Sequence, residues 1–229
     1  PRVIMIGGLF DESKKPLPSD LKQYLEGSGD QGVILVSFGT IIKTLSVQRF
    51  SLFVDAFSQL PFKVLWKYAG EPPQQLPRNV KILPWLPQAD ILRHGKLRVF
   101  VTHCGVSSSH EAILSAVPVV AIPLIYDQHY HASKLVERIG MGEILDFLTM
   151  TATDLRNAIT RVATDKKYRE NAMTASCLMK DNPLHPKDTL TYWVGFVLRH
   201  KGAQHLMLPS MYELSWLKYL HLDVLIFCA

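Results

Sequence analysis

Short apolar runs separated by stretches of three- and four-residue periodicity organise most of this 229-residue chain. Six runs predict strands: Val33 to Phe38, Val64 to Lys67, Val80 to Leu83, Val99 to His103, Val117 to Ile122 and Glu143 to Leu145. Several are apolar on consecutive positions, the pattern of parallel strands covered by helices on both faces. After Ser46, the residues Phe50, Phe53, Val54, Phe57 and Leu60 recur at helical spacing until Pro61, predicting a helix whose apolar stripe lies on a sheet. A shorter amphipathic helix, with Ser19 as its cap and Gly27 at its end, precedes the first strand, and another runs from Asp127 to Ile139. After Thr151 the pattern is mainly helical, through Thr153 to Ala163, Tyr168 to Leu178 and Thr189 to His200. Strand alternating with helix implies an α/β fold, a Rossmann-like parallel sheet flanked by helices.

Three segments follow: residues 1–30 as a linker and lead-in helix, 31–200 as the domain, and 201–229 as a C-terminal tail. The tail from Glu213 to Ala229 carries Trp216 and Tyr219 and becomes apolar as the chain stops. It reads either as a buried helix or as the leading edge of a membrane span, and by itself it is shorter than the roughly 20 apolar residues a span needs. The chain opens at Pro1 in a segment that already looks internal, so a piece of a longer protein is expected.

Composition narrows the chemistry. A formal charge of +5 with only 20% charged residues suits anionic ligands or a lipid surface and gives no nucleic-acid signature. Cys104, Cys177 and Cys228 are odd in number and widely spaced, so neither a disulfide framework nor a zinc site is indicated. His129 and His131 have no carboxylate set or cysteine pair to complete a metal site. Gly7-Gly8 is not the glycine fingerprint of nicotinamide enzymes.

Ligands of such sheets sit beyond the carboxyl ends of the strands, and the residues there are chemically suggestive. Trp85, held between Pro84 and Pro87, offers a plane on which a base can stack, with Gln88 positioned to read a base or ribose edge; the alternative for Trp85 is core filling. Thr102, His103 and Gly105 end a strand, and Ser107 and Ser108 open a helix whose free amides favour a diphosphate. His103 donates to phosphate or is a core histidine. Glu111 accepts from ribose hydroxyls or closes a capping box with Ser107 or Ser108. Asp127 and Gln128 suit sugar hydroxyls, although Asp127 also fits a plain N-cap. Ser37, Gly39 and Thr40 form a hydroxyl-bearing turn near phosphate or an ordinary glycine turn.

Taken together, W-L-P-Q-x-D-x-L at Trp85, F-V-T-H-x-G from Phe100, E-A at Glu111, V-P at Val117 and D-Q at Asp127 resemble the signature of the UDP-glycosyltransferases, the UDP-glucuronosyltransferase type in particular. The stretches G-V-I-L-V-S-F-G-T, K-V-L-W-K, V-L-R-H-K-G-A-x-H-L and L-S-W-x-x-Y-L-x-L-D-V extend the likeness over nearly the whole chain. The resemblance implies the C-terminal, donor-binding half of a GT-B glycosyltransferase. That enzyme would move a hexosyl or glucuronosyl group from a UDP-sugar to a small lipophilic acceptor, with inversion and without a metal or cofactor. It implies that Trp85 stacks on uracil, Gln88 and Glu111 hold the ribose, Ser37, Thr102 and His103 lie near the diphosphate, and Asp127 and Gln128 bind the sugar. It also implies that a histidine–aspartate base and most of the acceptor pocket lie in a missing N-terminal half, so this fragment alone would be inactive. The tail would then lead into a C-terminal membrane anchor, with the catalytic halves in the endoplasmic reticulum lumen. Two positions depart from the family pattern: Ser107 and His131 stand where relatives usually carry asparagine. A rival reading is a non-catalytic nucleotide-sugar-binding or partner module.

Overall fold

In a computed structural model, residues 3–9, 15–40, 42, 44–71, 75–203, 206 and 215–228 are described. All six predicted strands are present with ends moved by at most two residues: β1 Val33–Ser37, β2 Lys63–Lys67, β3 Val80–Leu83, β4 Leu97–Thr102, β5 Val119–Ala121 and β6 Gly142–Ile144. They form one parallel sheet in the order β3-β2-β1-β4-β5-β6. The Rossmann-like α/β architecture expected from the pattern is therefore observed. Strand order reverses between β1 and β4, which opens a crevice at their carboxyl ends.

Consecutive apolar residues in the strands serve opposite faces. Ile34 and Val36 join Phe50, Phe53 and Phe57 of helix α2 (Val47–Ser58) in one core layer, while Val33 and Leu35 join a second layer on the other side. Helix α1 (Ser19–Glu26) adds Leu21 and Leu25 to that second layer, so the lead-in helix is part of the sheet's own core. Such two-sided burial of aliphatic and aromatic side chains is the dominant stabilising term in a fold of this size. Trp66 is fully buried among Phe50, Phe53 and Phe57, stacked on Phe50 with centroids 4.9 Å apart.

Local signals held unevenly. Ser46 caps α2 by accepting from Arg49, and Thr151 with Asp154 forms a full capping box on α6 (Ala152–Thr164). By contrast, Ser19 is not a cap: Pro18 takes that position with no side-chain hydrogen bond, and Ser19 lies in the first turn. The helix expected from Asp127 to Ile139 is α5 (Gln128–Ser133) continued by a π-helical turn, Lys134–Arg138. Helices α3 (Gln88–Leu92), α4 (Val106–Leu114) and α7 (Lys166–Lys180) complete the layers around the sheet. Arg169 of α7 is a half-buried clamp, donating to the carbonyls of Ala116 at 2.8 Å and Leu97 at 2.6 Å.

The chain divides into two compact units, Glu12–Asp181 around the sheet and a second unit of Pro1–Asp11 with Asn182–Ala229. In the second unit, helix α8 (Pro186–Arg199) carries no buried residue, the short helix Trp216–Tyr219 is exposed, and residues 222–227 of the helix Leu222–Cys228 are exposed as well. Among the described residues, no helix is long and apolar enough to cross a membrane.

Candidate functional site

Parallel register lines up Leu83, Lys67, Ser37, Thr102, Ala121 and Ile144 as one row across the carboxyl edge of the sheet. Polar residues occupy its second to fourth places, with Ser37 and Thr102 flanking the strand-order reversal. Ser37 and Thr102 are both buried there and shape the turns that follow. The Thr102 hydroxyl accepts from the Cys104 amide at 3.2 Å, and Ser37 Oγ accepts from the Gly39 amide at 3.4 Å.

His103 projects between those two turns, and two glycines make its room. A Cβ on Gly39, whose φ is +77°, would come within 2.8 Å of the ring's Cε1 and Nε2; a Cβ on Gly105 would come within 2.7 Å of Nε2. Glycine is required at 39 twice over, by backbone conformation and by this close approach. Burial lowers the proton affinity of His103, the Lys67 charge lowers it further, and the Ser37 carbonyl and Asp127 oppose both. The ring is neutral at pH 7 and can donate one N–H without carrying a buried charge. Its Nδ1 is buried without a well-formed hydrogen bond, the nearby Ser37 carbonyl notwithstanding.

Trp85 is 68% exposed, so core filling is not its role. It forms one wall of a cleft of about 200 Å³ lined by Gly39, Thr40, Ile42, Lys67, Ala69, Pro84 and Trp85. Lys67 Nζ lies 4.5 Å from the indole centroid, a cation–π contact, and burial lowers the proton affinity of its ammonium group. Lys67 is the site residue that the sequence reading missed.

On the neighbouring helices, Gln88 Nε2 donates to Glu111 Oε2 at 2.6 Å and to Ser108 Oγ at 3.1 Å. Glu111 is thus tied to α3, and the capping-box alternative is not what forms. Helix α4 begins at Gly105 without any side-chain cap, which leaves its first amides open beside His103. Ser107 is exposed at this terminus.

Beyond β5 the picture differs. Gln128 is buried, its Oε1 accepting from the amides of Leu124 at 2.8 Å and Ile125 at 3.1 Å, so it pins the loop before it. Tyr126 sits in the left-handed region at φ +53° and is 87% exposed. Asp127 occupies the N-cap position without capping, and its Oδ2 lies 3.3 Å from His131 Nε2. The structure therefore brings Gly39, Thr40 and Trp85 to one cleft, His103 and Gly105 to the reversal, and Gln88, Ser108 and Glu111 into one hydrogen-bonded group.

The UDPGT family model, "UDP-glucoronosyl and UDP-glucosyl transferase", matches residues 1–229. UDP-glucuronosyltransferase 2B33 of Macaca mulatta is 40% identical over 225 residues, covering 98% of this chain and 42% of that protein. UDP-glucuronosyltransferase 2B7 of Homo sapiens is 39% identical over the same share of both chains. This chain thus spans about 42% of the length of the curated relatives it matches. Among solved structures, the glycotransferase of kitacinnamycin aligns with TM-score 0.61 at 26% identity, covering 76% of this chain and 43% of that one. Os79 from O. sativa, solved in complex with UDP, aligns with TM-score 0.70 at 24% identity, covering 79% and 45%.

Proposed function

The chain belongs to the UDP-glucuronosyl and UDP-glucosyl transferase family, and on that footing we propose that it is the donor-binding half of an inverting, GT-B-type UDP-glycosyltransferase. The whole enzyme moves a hexosyl or glucuronosyl group from a UDP-sugar to the hydroxyl of a small lipophilic acceptor. The observation that carries this reading is the convergence at the strand-order reversal. There a 68%-exposed tryptophan, a lysine beside it, a neutral histidine and an uncapped helix N-terminus stand together.

Each part has a physical role in that reaction. Uracil stacks on Trp85, an interaction worth roughly 1–3 kcal/mol per base. The Gln88–Glu111 hydrogen bond orders the carboxylate that accepts from the ribose hydroxyls, with Ser108 holding the amide from the other side. The diphosphate lies at the open amides of α4 and accepts from His103; charge grows on the leaving β-phosphate as the anomeric bond breaks, and these preorganised dipoles meet it without reorganising. No metal or organic cofactor is needed in this scheme. Asp127 accepts from the sugar hydroxyls, while Gln128 contributes chiefly by fixing the loop from Leu124.

The acceptor is deprotonated by a histidine–aspartate pair supplied by an N-terminal half, which also walls most of the acceptor site. The tail continues into a membrane anchor that holds the catalytic halves on the lumenal side of the endoplasmic reticulum. Likeness to the UDP-glucuronosyltransferases supports both, and the exposed aromatic residues Trp216 and Tyr219 suit the anchor.

Calorimetric titration of the chain with UDP tests the pocket. Binding is expected, and Trp85→Ala should weaken it about ten- to a hundredfold with little change in thermal stability, because the indole is largely exposed. Equal binding by the variant would remove the stacking role.

A further inference from the structure

His131 stands outside the roles assigned so far, yet it is attached to one of them. Its Nε2 lies 3.3 Å from Asp127 Oδ2, within ion-pair reach, and its backbone amide donates to the Asp127 carbonyl at 3.1 Å across one helical turn. Their exposure is unequal: the His131 side chain is 17% exposed and that of Asp127 64%. The imidazole is thus largely enclosed by the protein while the carboxylate beside it is open to solvent. Tyr130 adjoins the ring edge-on, with centroids 5.4 Å apart and planes at 71°. His110 of α4 is electrostatically coupled to both His131 and Lys134.

We propose that His131 is a positioning residue for donor-sugar recognition: its imidazole, within ion-pair reach of Asp127 Oδ2, biases the rotamer of the carboxylate and leaves Oδ1 to accept from a sugar hydroxyl. This rests on the reading of Asp127 as a sugar-binding group. An exposed aspartate without such a tether keeps its rotamer freedom until the ligand arrives and loses it on binding; one already held binds with less ordering. The imidazole also removes one oxygen from competition with water, so the hydroxyl meets a single defined acceptor.

The experiment is a calorimetric titration of the 229-residue chain with UDP, UDP-glucose and UDP-glucuronic acid. His131→Phe keeps a ring beside Tyr130 but has no N–H to donate. It should weaken whichever UDP-sugar binds by about tenfold, the scale of one hydrogen bond to a charged group, and leave UDP unchanged. His131→Gln, whose Nε2 can take the place of the imidazole Nε2, should restore most of the loss. Equal weakening of UDP and UDP-sugar, no weakening of either, or no rescue by glutamine would each overturn the positioning role while leaving the pocket intact. Failure of the unsubstituted chain to bind UDP would instead overturn the reading of the pocket, and this inference with it.

Discussion

The two ends of the proposed donor site are built by different means. At the reversal between β1 and β4, geometry is set by packing: Ser37 and Thr102 are buried and His103 fills the space left by Gly39 and Gly105. Beyond β5, geometry is set by a few polar contacts on an exposed segment, with Gln128 pinning the loop and His131 holding Asp127. Packing resists change over many contacts at once, so the first end should tolerate substitution poorly and uniformly. Polar tethers act singly, and the second end should show losses confined to one ligand group.

That contrast can be broken most directly at Gly39. Gly39→Ala puts a Cβ within 2.8 Å of His103 in a left-handed backbone, and should cost about 2 kcal/mol of stability. Denaturant midpoints read the stability loss, and calorimetry should show UDP and UDP-sugar affinity falling together. Unchanged stability would show that the end is less tightly packed than its contacts indicate. Next in size, Asp127→Asn should weaken UDP-sugar by about 1 kcal/mol with UDP unaffected; parallel loss of both ligands would make the two ends energetically alike.

A smaller effect is the pH dependence of stability. Because burial lowers the His103 pKa from its ordinary 6.5, the unfolded chain binds the proton more readily. The stabilising contribution is complete above pH 6.5 and is lost as pH falls through the lowered folded value. His103→Gln should flatten that part of the profile in urea titrations at stepped pH, although His110, lowered in the same sense, keeps some slope. An unaltered profile would show that His103 is not the residue responsible.

The smallest expected response is no reaction at all. Cys104 is buried beside His103 and its thiol is pushed up to about 12 by burial, whereas Cys177 is exposed. Iodoacetamide at pH 8 followed by peptide mapping should label Cys177 and spare Cys104. Labelling of Cys104 in the folded chain would reveal opening at the end described as rigid.

Much of this was legible beforehand, and the exceptions share a cause. Trp85 between two prolines, the Thr-His-Cys-Gly turn and the strand runs announce themselves through local chemistry and period. Lys67 does not, since a lysine at a strand end looks like any solvated charge until register sets it beside Ser37. Gln128 follows Asp127 in a pair suited to sugar hydroxyls, and only the fold shows that its amide oxygen also accepts from the Leu124 and Ile125 amides. Ser19 was read as a cap because it precedes an apolar helix; Pro18, with its fixed φ, starts that helix one residue earlier.

The sequence alone determined the alternation of strands and helices, the two-faced burial of the sheet and the family signature from Trp85 to Gln128, because each depends on residues near one another in the chain. Tertiary structure decided which side chains meet. The contact of Gln88 with Glu111, the approach of Lys67 to Trp85 and the seat of His103 between two glycines all join residues on different elements, and no local period encodes such distances. The same reasoning marks the opening contrast: the packed end was the more legible, because buried patterns repeat along the chain, while the tethered end rests on single contacts that only the fold reveals.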